Sequence, residues 1–242
     1  MLGIILAAGR GKRLEPVLRD QPKCLLDFGG TSILMHQVKA LATVGIKDFV
    51  VVVGYEKEQI ISHVANAPYR FTFVENPIYD ETNTLYSLWL ARRHFTDDFF
   101  YCNADVVFDY RIPRHLLSPA ADSCLACTSH RCAEEEVKVI VADNCIVHIG
   151  KKLDVARCYG EFIGVARFAR TTNTRFAHIL DECVKKDRAL WNTFFEHAVD
   201  ILAAEAPLRC TDVSDLPVVE IDFPEDLEKA RSQVFPTMHT AA

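Results

Sequence analysis

GIILAAGRGKRLEPVLRDQPKCLL, residues 3–26, runs from an apolar strand into a loop broken by glycines and loaded with charge. Between Arg10 and Lys23 stand five basic residues (Arg10, Lys12, Arg13, Arg19, Lys23) against two acidic ones (Glu15, Asp20), in a chain whose formal net charge is −6. A local surplus of positive charge at the end of a strand is a place for an anion, and a polyphosphate suits it. Glycine lets backbone N–H groups approach such a ligand, because it reaches dihedrals closed to other residues and has no side chain in the way. In α/β sheets ligands sit outside the carboxyl ends of the strands, where Ala7-Ala8-Gly9-Arg10-Gly11 lies. Neither standard phosphate loop is present: no G-x-x-x-x-G-K-[ST] occurs, and G-x-G-x-x-G fails because position 14 is Leu.

The chain around this loop has 242 residues, 50% hydrophobic and 25% charged, enough to bury a sizeable core. No Pro/Gly/Ser-rich linker divides it, so one domain is expected over 1–242. No apolar run approaches the ~20 residues that span a bilayer, and the amino terminus lacks the basic leader of a signal peptide, so neither membrane association nor export is expected. Nine scattered cysteines are an odd number. The spacing Cys124-Leu-Ala-Cys127 falls inside an apolar run and reads as buried thiols rather than zinc ligands, which suggests a reducing compartment and hence the cytoplasm. A pI near 5.8 with no basic block argues against nucleic-acid binding.

Periodicity predicts a helix at 32–44, a continuous β-branched strand at 48–55, a helix at 56–65, a strand at 71–75, a helix at 85–95 capped by Thr82 or Asn83, and a buried strand at 98–107. The second half predicts short strands at 123–129, 136–142, 145–149 and 161–168, with Asp143-Asn144 as a turn. Helices at 174–186 and 192–204, a strand at 218–222 and a helix at 225–233 follow. The β-α-β-α-β-α-β order of the first half implies an α/β, Rossmann-like three-layer sandwich with a mostly parallel mixed central sheet.

Three stretches carry a family resemblance. Leu6-Ala7-Ala8-Gly9-Arg10-Gly11-Lys12-Arg13-Leu14, Pro22-Lys23-Cys24-Leu25-Leu26 and Glu220-Ile221-Asp222-Phe223-Pro224-Glu225-Asp226-Leu227 resemble the signature of the nucleotidyltransferases that make nucleoside-diphosphate sugars and alcohols. The resemblance implies a nucleotide-binding half (1–110) and an acceptor-binding half (111–242). Leu6, Ala7, Ala8, Gly9, Arg10, Gly11 and Lys12, with Asn83 and Asn103, would hold the nucleoside triphosphate. Arg13 and Lys23 would contact the phosphates as the catalytic pair, and Asp105 and Asp222 would bind Mg²⁺. Asp105 ends a buried strand on the edge that the phosphate loop faces, and period two sets Glu220 and Asp222 on one face of theirs.

Asn76-Pro77, Thr82 to Leu88, Glu136-Val137-Lys138-Val139 and Gly160 to Gly164 are similar to the phosphocholine, aminoalkylphosphonate and inositol-phosphate cytidylyltransferases. That branch implies CTP and a small phosphorylated acceptor; no residue spacing proves the base. A cationic amine on the acceptor would want aromatic faces and a carboxylate, which Tyr159, Glu161, Trp191 and Glu196 could supply, while Lys138 and Lys152 could meet its phosphate. Phe194 and Phe195 offer further aromatic faces, but they open an amphipathic helix and at least one should be core. The acceptor is already an anion, so attack on the α-phosphorus requires no general base. The alternatives are a sugar-1-phosphate thymidylyl- or uridylyltransferase, a nucleotide-sugar glycosyltransferase and a non-catalytic nucleotide sensor. Oligomeric state stays open, with a homodimer compatible with this reading.

Overall fold

The alternation of side chains along LGIILA decides the layering. Leu2–Ala7 (β1) turns Ile4 and Leu6 to one face and Ile5 and Ala7 to the other, and both faces are buried. Such a strand needs helices on both sides of its sheet. Asp48–Val53 (β2), Arg70–Glu75 (β3) and Phe99–Asn103 (β4) join it in parallel, in the order β3-β2-β1-β4. The computed structural model describes residues 1–18, 20–117 and 123–238.

The second half contributes Ser123–Thr128 (β5), Lys138–Ala142 (β6), Cys145–Gly150 (β7), Gly160–Phe168 (β8) and Leu208–Asp212 (β9). Among the described residues these complete a nine-stranded mixed sheet, ordered β3-β2-β1-β4-β8-β5-β9-β7-β6. The long β8 runs antiparallel to both β4 and β5, so one sheet passes through both halves of the chain. The α/β three-layer sandwich read from the sequence is the observed architecture.

Ile33–Ala42 (α1) and Lys57–Val64 (α2) cover one face, packing Leu34, Val38, Leu41 and Ile60 on Ile5, Val51 and Phe100. Thr84–Ala91 (α3), Arg170–Lys186 (α4) and Glu196–Ala203 (α5) cover the other, packing Leu88, Phe176 and Val199 on Ile4, Val52 and Tyr101. Side-chain caps fix two starts: Ser32 Oγ accepts the Met35 N–H at 3.1 Å, and Asn83 Oδ1 accepts the Thr84 N–H at 2.8 Å. Asp143 and Asn144 both take positive φ, 49° and 62°, as the expected tight turn between β6 and β7 requires.

Three departures from the sequence reading matter for the site. The strand expected at 98–107 breaks after Asn103, and Val106–Phe108 leaves the sheet to pair antiparallel with Val218–Glu220 in a separate ribbon. That ribbon, with Pro224–Lys229 (α6) and the turn Ala230–Val234, closes a third core of Leu14, Phe28, Val107, Ile221 and Val234. β9 adds a strand that the sequence signals only faintly, because its LRCTD alternates apolar and polar residues weakly and only Leu208 is fully buried. The helix expected at 192–204 begins at Glu196, after the 3₁₀ segment Arg188–Asn192; Phe195 is core, whereas Phe194 is exposed.

Candidate active site

Three chain breaks converge at the carboxyl end of β1. The first is the glycine loop. Gly11 takes φ 69°, and a Cβ there would stand 3.1 Å from the Lys23 Cβ, so only glycine lets the loop fold down over that lysine. Gly9 faces open space, as the floor of a ligand cradle should. Leu6, Ala7 and Ala8 are buried and act through backbone: the Leu6 carbonyl accepts the Ala104 N–H and the Ala8 carbonyl accepts the Tyr55 N–H. Arg10 pairs with Glu15 at 3.1 Å beside the Tyr55 ring, and Lys12 is exposed. Arg19, counted in the loop's charge, lies outside the described residues.

The second break follows β4. Asp105 sits in the turn between β4 and the ribbon, held by its carbonyl accepting the Ile221 N–H at 3.0 Å. Gln37, buried on α1, donates its side-chain amide to the Asn103 and Val106 carbonyls, each at 2.7 Å, and so pins the turn from below. In the sequence the signal for Gln37 is a polar residue standing in the apolar stripe of 32–44. Asn103 accepts the Tyr101 hydroxyl, and Gly164, at φ 75°, lets β8 pass where a Cβ would meet the Asn103 amide nitrogen at 2.9 Å.

The third break follows the ribbon strand Val218–Glu220. Asp226 accepts the N–H groups of Asp222 and Phe223 at 3.0 and 2.8 Å, which fixes Asp222 at the start of α6. Asp226 stands in the first turn of α6, where acidic residues are common, and its task is to set Asp222.

These breaks put charge against charge. Lys23 Nζ lies 2.9 Å from Asp105 Oδ2 and 2.6 Å from Asp222 Oδ1, and Arg13 reaches Asp222 Oδ2 at 3.0 Å. Burial acts to lower the Lys23 pKa, but the carboxylates of Asp105 and Asp222 outweigh it and the net shift is upward. For Asp222 burial acts upward, and Lys23 and Arg13 outweigh it, so its carboxyl titrates below the usual range. Glu220, noticed in the sequence only as sharing a face with Asp222, belongs to the same cluster: one oxygen each of Asp105, Glu220 and Asp222 lie within 4.8 Å of one another.

The donor set fits a hard divalent cation such as Mg²⁺, since all its ligand atoms are carboxylate oxygens. The decisive detail is Asp105 Oδ1, which is buried without a hydrogen-bond partner. A buried carboxylate oxygen is costly to leave unpaired, and a metal ion is one partner that would satisfy it.

The expected acceptor residues are dispersed. A cleft of about 300 Å³ brings together Lys151, Lys152, Phe194, Glu196 and His197, with the Lys151 ammonium 4.6 Å from the Phe194 ring centre. Tyr159 hydrogen-bonds the Asp212 carboxylate, Trp191 stacks near Tyr86 and donates to the Val184 carbonyl at 2.8 Å, and Glu161 faces His130 at 3.9 Å. Asn83, expected at the nucleotide, spends its side-chain oxygen on the α3 cap. A larger cavity of about 590 Å³, lined by residues of α4 and α5 such as His178, Asp181 and Lys186, contains none of the expected site residues.

Lys138 is the correction. Expected at an acceptor phosphate, it is 1% exposed, and its ammonium donates to the carbonyls of Glu134, Glu136 and Lys151 at 2.7, 3.2 and 2.7 Å. All three protons are used, so it ties a loop to a hairpin. Lys138→Met should therefore destabilise the fold by about 2–4 kcal/mol through the stranded carbonyls, in denaturant titration, and leave the acceptor KM of the folded fraction unchanged.

Glu196 is buried at 4% exposure, and its Oε2 has no partner. Burial pushes its carboxyl up to about 7, against the pull of backbone N–H and Lys151. Between the unfolded value near 4.5 and about 7, the folded state holds a proton that the unfolded chain has lost. Stability should therefore fall with rising pH across that window, by on the order of 3 kcal/mol from this group. Glu196→Gln should flatten the slope in unfolding curves collected from pH 5 to 8.

Comparison with known proteins identifies the family. The model of the MobA-like NTP transferase domain matches residues 3–159. The chain belongs to that family. A CMP-5′-(3-aminopropyl)phosphonate synthase from Streptomyces rubellomurinus is 32% identical over 240 residues, covering 94% of this chain and 38% of that protein. A bifunctional IPC transferase and DIPP synthase from Aquifex aeolicus is 26% identical over 235 residues, covering 97% of this chain and 52% of that protein. This member of the family thus spans about half, or less, of the length of those two relatives. The solved CTP:phosphocholine cytidylyltransferase from Streptococcus pneumoniae superposes with a TM-score of 0.80 at 22% identity, over 95% of this chain and 97% of that one, and shares the fold. No helix among the described residues is long and apolar enough to cross a membrane.

Proposed function

We propose that this NTP transferase is a Mg²⁺-dependent cytidylyltransferase that joins CTP to a small phosphate or phosphonate and releases pyrophosphate. The observation that carries the reading is the meeting of Arg13 and Lys23 with Asp105 and Asp222, one of whose oxygens is left without a partner. A nucleotidyl transfer must bring two anions together and carry away a third, which calls for cations and a metal-binding carboxylate pair at one point.

In this reading an acceptor oxygen attacks the α-phosphorus, the bond to the β-phosphate oxygen breaks, and that oxygen leaves with its electron pair as pyrophosphate. Mg²⁺ would supply charge neutralisation at the α-phosphate, held by Asp105 and Asp222 with Glu220 beside them. Arg13 and Lys23 hold the two phosphates in line. The glycine loop receives the triphosphate on backbone N–H groups, and Asn103 stands at the same strand end. Glu196, Lys152 and the neighbouring Phe194 face the cleft proposed for the acceptor, where a carboxyl oxygen without a partner and an aromatic ring suit an amine-bearing molecule. The aminopropylphosphonate synthase and the phosphocholine cytidylyltransferase reported above support a phosphate- or phosphonate-bearing acceptor. The unpaired cysteines suit the reducing environment of the cytoplasm.

The test is a grid: protein and Mg²⁺ with each of four nucleoside triphosphates, against phosphocholine, 2-aminoethylphosphonate, inositol phosphate, glucose 1-phosphate and phosphorylated amino acids. Pyrophosphate is expected with CTP and one of the non-sugar acceptors. Turnover confined to UTP or dTTP with glucose 1-phosphate would replace the proposal with its sugar-phosphate alternative.

A further inference from the structure

Away from the phosphate loop, residues 129–137 connect β5 to β6 along a path fixed at both ends. The Ser129 N–H donates to Ser214 Oγ at 2.7 Å, and the Lys138 ammonium gathers the Glu134 and Glu136 carbonyls. Within this loop His130 Nε2 lies 2.9 Å from Glu136 Oε2, and 3.9 Å from Glu161 Oε2 across on β8. Cys132 is 7% exposed, and its sulfur reaches the His130 carbonyl only at 3.9 Å, a weak contact. One ligand atom each of His130, Cys132 and Glu136 lie within 4.8 Å of one another.

We propose that His130, Cys132 and Glu136 form a site for a zinc-class divalent cation, with Glu161 beside it as a fourth donor. The donor types argue for this class. Imidazole, thiolate and carboxylate together suit Zn²⁺ or Co²⁺, whereas the hard cation expected at Asp105 and Asp222 takes oxygen. Thr128 Oγ1 lies 3.4 Å from His130 Nδ1, so the nitrogen facing away from the cluster has the outer partner typical of a ligating histidine. Tetrahedral zinc needs its donors about 3.5 Å apart, and the two distances from His130 Nε2 straddle that figure. An ordinary ion pair accounts for His130 and Glu136 alone. It gives no reason for a buried thiol at the same point, and a pair this exposed adds little to stability. Binding would cost the Cys132 thiol its proton, released to solvent, and would fasten the loop to β8.

The test uses the full chain, stripped of metal by chelation and titrated with Co²⁺ in excess Mg²⁺. A thiolate-to-cobalt charge-transfer absorption in the near ultraviolet is expected to saturate at one equivalent and to vanish on adding Zn²⁺. The all-carboxylate cluster cannot produce that band, so Asp105→Asn should keep it. Cys132→Ser should abolish it, and His130→Ala, an exposed substitution that leaves the core intact, should weaken Zn²⁺ binding at least tenfold. Thr128→Val should weaken it about tenfold. Absence of the band from the unaltered chain, its persistence in Cys132→Ser, or unchanged Zn²⁺ affinity in His130→Ala would each overturn the proposal.

Discussion

Asp105→Asn should reduce pyrophosphate release by roughly two to three orders of magnitude, equivalent to about 3–4 kcal/mol of transition-state stabilisation. The substitution keeps the shape of the turn and takes away one charge. Lys23 retains Asp222 at 2.6 Å, and the oxygen that stood buried without a partner becomes part of an amide. The thermal midpoint in the absence of metal should therefore move by only a few degrees. Turnover near the unaltered level would remove Asp105 from the chemistry and with it the metal reading of the cluster.

Lys23→Met should show a broader effect, because it acts on both the reaction and the fold. Methionine keeps the aliphatic stem under Gly11 and removes the ammonium, so turnover should fall by at least about a hundredfold. The carboxylates of Asp105, Glu220 and Asp222 would then crowd one another with Arg13 as their nearest remaining cation. In the unaltered chain Asp222 has a depressed pKa and contributes stability that is present above its unfolded value and lost as pH falls through the folded one. Without Lys23 the crowding reverses the sign. The folded pKa values rise, and the variant should gain stability as pH drops from 8 towards 5. The loss at pH 7 should be about 2–4 kcal/mol, and millimolar Mg²⁺ should recover part of it in thermal melts. Full activity in this variant would undo the phosphate-clamp reading, and a melt with unaltered pH dependence would show that Lys23 does not hold the cluster together.

The parts of the fold that were legible in the sequence are those with strong local signals. GIILAAG and DFVVVVG are continuous apolar runs of strand length followed by glycine, and their places in the parallel sheet follow from the helical pattern between them. Position 103 was harder. In DFFYCNADVV the polar triplet Asn103-Ala104-Asp105 reads as the carboxyl end of one strand, and the apolar Val106–Phe108 after it carries no local sign that it belongs to a different sheet. The chain leaves the sheet there because a distant partner, Val218–Glu220, competes for it, and that partner lies more than a hundred residues on.

The candidate site divides along the same line. Arg13, Lys23 and Asp222 stand in recognisable strings, Asp105 is legible from its place at the end of a buried strand, and all four converge. Glu220 and Gln37 join them through tertiary geometry. Lys138 could not be separated from a phosphate-binding lysine by pattern, since its fate depends on three carbonyls supplied by residues before and after it. The acceptor side was the least legible for a physical reason: aromatic residues pack a core and face a ligand with the same chemistry. Only burial distinguishes Phe195, which is core, from Phe194, which borders the cleft.

The ribbon that joins Val106–Phe108 to Val218–Glu220 also bears on the birth of the protein. The glycine loop, Lys23 and Asp105 all leave the ribosome well before Asp222 does. At about 5–20 residues per second the interval is on the order of ten seconds. During it β1, β2, β3 and β4 can already pair beside Lys23, while the second carboxylate, the Ile221 N–H that holds the Asp105 turn and the strand that anchors them have still to be made. A nascent chain would thus possess a phosphate cradle before it possessed a reaction centre, and catalytic competence would arrive with the closing of a two-stranded ribbon.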